Sequence, residues 1–391
     1  VLATYTFVAF ASQLIWLNFA GIAEPQLTEI YGVSVEQVGY LAAFWPLVFI
    51  PLSIPTGISI DKWGFRLNVA LGSGIIALFS WLRIFAGLNF NLLLAFQTLA
   101  GIGQPFVYNG VSKLAGSWFE KGEQTLANGL GTMGQIAGMI ASLVLAPLMV
   151  PDASYSELKQ NMILFAIIAT FAFILFSLLA REAVAEERTR MWHDVLHEIR
   201  AVSSMRNVII LSILFFIGVG IFSGLIQWTE SILESRGLSP FYGSLVGAAM
   251  LVSGIAGMVV ISYVADKLSM LRIFVTVNSA VVAIFLLLFS FNFGYIVYVI
   301  SAVIIGFFLL SLAPVGLQIS LNTVGEMRSG SAASIIWLAS QVGALVIIVM
   351  MASLSNISSS LLTNQWSYSL LFCSILMISA AGISLFLKEK R

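Results

Sequence analysis

Charge is scarce in this chain. Only 9% of its 391 residues are charged, 18 basic against 18 acidic, where an average soluble domain carries about 25%. No long basic tract and no interleaved basic-aromatic surface is present, which excludes nucleic acid as a partner. The single cysteine, Cys373, excludes a disulfide within the chain and a thiolate metal site. Histidine is nearly absent too. The two that occur, His193 and His197, stand four apart beside Asp194 and Glu198, a spacing that suits a metal, but on a hydrophilic stretch they read as solvated side chains, and no metal is expected. A Gly-x-x-x-x-Gly-Lys-Ser/Thr loop and any plausible catalytic constellation are both missing. The chain therefore reads as neither an ATP-driven pump nor an enzyme, and no cofactor is expected. Val1 to Ala11 lacks a basic n-region and an A-x-A site, so it reads as the start of a span, not a cleavable signal.

What fills the space is apolar: 59% of residues are hydrophobic and the mean hydropathy is +1.00. At about 20 apolar residues per bilayer crossing, spans fall near 3–24, 38–60, 67–88, 92–115, 125–149, 160–180, 207–230, 241–265, 271–291, 294–317, 330–352 and 367–387. These are six and six. Gly32-Val33-Ser34 and Asp61-Lys62 recur as Gly237-Leu238-Ser239 and Asp266-Lys267 with the same 29-residue spacing (61 − 32 and 266 − 237). The repeat pairs whole spans and marks a duplicated membrane unit.

The division expected is a six-helix bundle over 1–180, a linker over 181–206 and a second six-helix bundle over 207–391. Within the linker Trp192, Leu196 and Ile199 fall at helical spacing opposite the charges, which suits an amphipathic helix on the inner membrane surface. Most Lys and Arg gather in alternate loops, leaving only Arg83, Lys159 and Arg236 on the other side. The positive-inside rule then places both termini in the cytoplasm of a multi-pass protein of the cell membrane.

The stretch from Gly57 to Arg66, GISIDKWGFR, matches the G-x-x-x-D-(R/K)-x-G-x-R signature of major facilitator superfamily transporters, departing only at Phe65, where a second basic residue is common. The chain resembles that superfamily, which implies an all-α membrane fold of twelve helices in two six-helix bundles. Gating residues would be Asp61, Lys62, Gly64, Arg66 and the repeat copy Asp266. Asp61 suits a cap on a neighbouring helix end, and Gly64 suits a tight turn.

A narrower resemblance is to the choline and haem transporters named for the feline leukaemia virus subgroup C receptor. It rests on the order of Tyr31-Gly-Val33, Leu71-Gly-Ser-Gly74, Ser117-Trp-Phe119, Pro147-Leu-Met-Val-Pro151, Gly306-Phe-Phe308 and Pro314-Val-Gly316. That family implies a pocket with a tryptophan of the first helix, an aromatic residue of the seventh and glutamines of the fifth and eleventh. Here Trp16, Gln227 and Trp228, Gln135 and Gln341 stand at or near those positions, Trp16 and Gln135 each displaced by one residue.

Independently of the resemblance, an amide deep in a span costs about 2–7 kcal/mol unless hydrogen-bonded, which singles out Gln135 and Gln341 at repeat-related places. Gln13, Asn18, Gln104, Asn109 and Gln318 add further polar groups inside spans. Aromatic faces suit a quaternary ammonium, at about 0.5–2 kcal/mol per face, and Glu230 biases the site toward cations. The chain therefore reads as a carrier of a small organic solute, an amine or choline-like cation, working by rocker-switch alternating access, with the bilayer and the solute as its partners and a monomeric state. The alternatives are a carrier of a neutral or monoanionic solute such as a carboxylate, a proton-coupled drug exporter and, in a different class, a membrane receptor that does not transport.

Overall fold

The computed structural model describes residues 1–20, 22, 24–152, 154–182, 200–238, 240–355 and 366–389. The linker calls at Trp192, His193, Leu196, His197 and Ile199 lie outside the described residues. Every described element is helical. Eleven helices are long and apolar enough to cross a bilayer, and Leu2–Trp16 adds a shorter apolar helix of 15 residues. In a bilayer, helices are the open-chain structure that satisfies every backbone group internally, so a chain this apolar has little other choice.

The ends of these helices are written in the sequence. Gly32 has φ +64° and Gly237 φ +78°, so each copy of the repeated glycine makes a left-handed turn that a side chain would resist. Ser34 then starts helix Val35–Trp63 as a capping box: its side chain accepts from Gln37 N while the Gln37 side chain accepts from Ser34 N.

Three spans differ from the sequence reading. The first ends at Trp16, not near residue 24, and turns through Leu17, Ala20 and Ile22 before a new helix, Glu24–Tyr31. The reason lies on another helix. Gln97 Nε2 donates to Ile15 O and Trp16 O, both at 3.3 Å, meeting carbonyls that a continuing helix would have used. The fourth span is broken into Phe90–Gly101, Gln104–Tyr108 and Val111–Trp118, with Pro105 in the first turn of the middle piece. The tenth is likewise divided into Tyr295–Leu310 and Leu312–Val324.

The chain divides into two compact units. Unit 1 comprises Val1–Trp118, Leu130–Leu196 and Met327–Ser334; unit 2 comprises Phe119–Gly129, His197–Glu326 and Ile335–Arg391. Each thus contains the first residues of a helix whose remainder belongs to the other: Ser329–Ser355 begins in unit 1 and Gln124–Met149 begins in unit 2.

The two units repeat one pairing. In unit 1 helix Phe65–Phe85 packs on Tyr155–Leu179, and in unit 2 helix Leu271–Ser290 packs on Ser367–Ser384. Large apolar side chains stay outside, among them Phe85 at 77% and Leu178 at 75% exposed. Such surface is costly in water and free in lipid.

Glycines set the closest approaches. A Cβ on Gly257 would strike the backbone carbonyl of Phe307, whereas one on Gly247, ten residues earlier on the same helix, would meet nothing within 4 Å. Gly257→Ala should therefore cost about 1–3 kcal/mol as an overpacked contact. Gly247→Ala should be neutral or stabilising by about 0.4–1 kcal/mol. Unfolding titrations in mixed micelles check the pair, and equal effects at the two positions would contradict this packing.

Candidate functional site

Asp61 and Asp266, the repeat-related acids, do the same job in their own units. Asp61 is 7% exposed at the end of helix Val35–Trp63, and both its oxygens accept backbone N–H bonds, from Gly330 and Ser331, each at 2.8 Å. Asp266 is 8% exposed and accepts from Thr125 at 3.1 Å and Leu126 at 2.8 Å. The offset is constant: 266 − 61, 330 − 125 and 331 − 126 all equal 205.

A helix start has backbone N–H groups with no partner inside the helix and a partial positive charge, so a buried carboxylate there is stabilised by both. Close packing makes room for it. A Cβ on Gly57 would strike Ser334 Oγ, and one on Gly129 would sit 2.7 Å from Ser262 Oγ. Glycine and serine have exchanged places between the copies, since 262 − 57 and 334 − 129 are again 205.

The other members of the motif fix the turn itself. Gly64 ends the helix with φ +86°, and a Cβ there would fall 2.6 Å from the Glu182 carboxylate. Glu182 accepts from Phe65 N at 3.2 Å and Arg66 N at 2.8 Å, capping helix Phe65–Phe85. Arg66 Nη2 donates to Ser177 O at 3.1 Å, and Lys62 Nζ lies 5.6 Å from the Trp63 ring centre.

Unit 2 has the counterpart: Glu389 accepts from Arg272 N at the start of helix Leu271–Ser290. Sequence reasoning missed both glutamates. Their spacing was a usable signal, because 389 − 182 and 272 − 65 both equal 207.

Behind the two aspartates the copies diverge. Lys113, 4% exposed, acts electrostatically on Asp61. At the equivalent place, 205 residues on, stands Gln318. Its Nε2 donates to Gln124 Oε1 at 2.8 Å and Asn322 Oδ1 at 2.9 Å, and its oxygen accepts from Asn128 Nδ2 at 3.2 Å. One copy thus backs its acid with a buried cation, the other with an amide network.

The residues expected to bind solute divide between the units. In unit 1, Trp16 is half-buried and donates from Nε1 to Ala42 O at 2.9 Å. Gln135 is 5% exposed, and its Nε2 has no hydrogen-bond partner among the described residues. Wholly buried Gln13 approaches the Tyr108 hydroxyl.

Unit 2 holds the rest. Trp228 donates from Nε1 to Ile348 O at 3.2 Å and packs its ring 5.2 Å from that of Trp366. Ile348 is seven residues after Gln341, two turns along the same face of that helix, so Trp228 and half-buried Gln341 lie along one strip. Gln227 and Glu230 are exposed and share a different face, turned from Trp228 by about 100° and about 160° respectively. Glu230 Oε1 accepts from Ser244 Oγ at 2.6 Å, one turn from the end of helix Arg206–Glu234.

A family model described as Major Facilitator Superfamily matches residues 5–348. The chain belongs to this superfamily. It is a multi-pass membrane transporter of some solute, and not an enzyme. Among relatives, it is 25% identical over 374 residues to zebrafish (Danio rerio) solute carrier family 49 member A3, covering 91% of this chain and 78% of that protein. It is 21% identical over 364 residues to the cat (Felis catus) choline/ethanolamine transporter FLVCR1, covering 88% of this chain and 65% of that protein. Among solved structures, a single-residue variant of the E. coli fucose:proton symporter FucP matches with TM-score 0.81 at 14% identity, covering 100% of this chain and 98% of that one. The last likeness shows the fold alone.

Removing the Asp61 carboxylate leaves two buried N–H groups without acceptors, at about 1–3 kcal/mol each. Asp61→Ala should therefore speed amide hydrogen exchange at Gly330 and Ser331, with Thr125 and Leu126 unchanged, and Asp266→Ala should do the converse. Exchange rates unaltered at the named amides would contradict the capping assignment.

Proposed function

We propose that the solute is a small amine of the choline or ethanolamine class, carried by rocker-switch alternating access between the two duplicated halves. The observation that carries the reading is the Gln135 amide. Its Nε2 is buried in unit 1 with no partner among the described residues, a loss of order 1–3 kcal/mol that a bound acceptor would recover. Choline and ethanolamine each offer a hydroxyl oxygen as that acceptor. Their ammonium groups suit the faces of Trp16 and Trp228, and Gln341 supplies a second amide. Gln227 and Glu230, on their own face of helix Arg206–Glu234, contribute polarity and negative charge at longer range. The relatives named as choline/ethanolamine transporters support the same substrate class.

In this reading the aspartate caps are the gate. Asp61 and Asp266 fix the helix starts at Gly330 and Thr125 in their own units, while Lys62, Gly64 and Arg66 keep the turn in shape. Asp61→Asn should impair transport in proteoliposomes and leave equilibrium binding of the solute largely intact.

The substrate class is tested by titrating choline, betaine and a carboxylate of similar size against the wild type and two variants. Trp16→Ala should weaken choline by about 0.5–2 kcal/mol. Gln135→Leu should weaken it by about 1–3 kcal/mol and spare tetramethylammonium, which has no hydroxyl. Preference for the carboxylate, or indifference of choline binding to both changes, would overturn the assignment and leave the transporter fold standing.

A further inference from the structure

Arg83 is a guanidinium at the C-terminal end of helix Phe65–Phe85, and it is wholly buried. Nη1 donates to Gln97 Oε1 at 2.7 Å, and the group lies 5.4 Å from the Phe19 ring centre. Nε and Nη2 have no partner among the described residues. Neither contact neutralises the charge. Gln97 does link it to the end of another helix, because its own Nε2 takes the last-turn carbonyls Ile15 O and Trp16 O. Each helix C-terminus carries about half a negative charge, so the end of the first helix and the end of its own helix offset the guanidinium charge in part or in full, yet neither gives Nε or Nη2 a hydrogen-bond acceptor. Burying those donors unpaired is costly.

The surroundings add donors. Tyr31 is within electrostatic reach of the guanidinium, and its hydroxyl is buried without a partner. Burial pushes the Tyr31 phenol well above its ordinary range, so it stays a neutral O–H donor. Phe90 packs against that ring at 5.8 Å and walls off one side. Free N–H and O–H groups around a cation, with no carboxylate among the described residues to meet them, make a site for an anion. The small residual charge suits a monovalent ion better than a phosphate or sulfate, whose second charge would be uncompensated.

We propose that Arg83 and Tyr31 hold a small monovalent anion of the chloride class, taken between Nε, Nη2 and the tyrosine hydroxyl. This site reaches the solute residues only through Gln97 and the Trp16 backbone carbonyl, and it does not rest on the choline reading. It makes the protein's stability dependent on the anion supplied, because a ligand bound only by the folded state stabilises it by mass action.

The test uses the purified full-length protein at constant ionic strength. Chloride or bromide in place of gluconate should raise the thermal midpoint saturably, Tyr31→Phe should raise the half-saturating halide concentration several-fold, and Arg83→Gln should abolish the effect. Crystals of the wild type grown in bromide should show an anomalous peak within hydrogen-bond distance of Arg83 Nε and Nη2, which keeps the proposal falsifiable if Arg83→Gln does not fold. A wild type indifferent to halide, a shift that persists in Arg83→Gln, or bromide located only elsewhere would overturn it. Stabilisation by acetate without stabilisation by halide would reassign the charge to a carboxylate ligand and overturn the inorganic reading.

Discussion

Four helix starts in this chain take their missing hydrogen bonds from carboxylates that lie far away in sequence, and the rest of the architecture is arranged to let those acids arrive. Asp61 and Asp266 meet the starts of Ser329–Ser355 and Gln124–Met149; Glu182 and Glu389 meet the starts of Phe65–Phe85 and Leu271–Ser290. The constraint is physical before it is functional. An apolar span has no water with which to satisfy its first N–H groups once they are buried, and a carboxylate offers two strong acceptors together with charge of the right sign. The price is close packing. Gly64 must have no side chain because Glu182 occupies that space, and Gly57 and Gly129 must have none so that a serine of the facing helix can come near.

The duplication explains why the arrangement occurs twice, and its departures show where the copies have separate tasks. The caps keep a constant offset, while the groups behind them do not: Lys113 acts on Asp61, whereas Gln318 stands in an amide network with Gln124, Asn128 and Asn322. Lys113 adds a buried cation behind one cap, and the amide network positions the segment behind the other without adding charge. The two caps therefore differ in electrostatic character although their hydrogen bonds match.

Much of this was legible in the sequence because it depends on local rules. Apolar run length gave the spans, and the 29-residue spacing gave the repeat. Gly32, Gly237 and Ser34 wrote the turn and the cap in residue types that such a turn demands. The failures share one cause, which is that the deciding partner sits elsewhere in the chain. The first helix stops at Trp16 because Gln97, 81 residues away, takes the Trp16 carbonyl, and hydropathy continues past that point unaware of it. Glu182 and Glu389 read as ordinary charges just beyond a span, since each finds its backbone partner 117 residues away. Around Trp228 direction was not legible: Gln227, Trp228 and Glu230 are neighbours in sequence, yet one residue turns the side chain by about 100°, and Trp228 meets Ile348 on the strip of Gln341 while Gln227 and Glu230 take another face.

The proposed function is carriage of a choline-like amine by exposure of one site to alternate sides. Counterflow in proteoliposomes tests it most directly, because carriage by a reorienting site predicts that unlabelled choline loaded inside accelerates entry and transient accumulation of labelled choline added outside, with no ion gradient imposed. Choline entry no faster than into protein-free vesicles, or entry indifferent to what is loaded inside, would contradict the account.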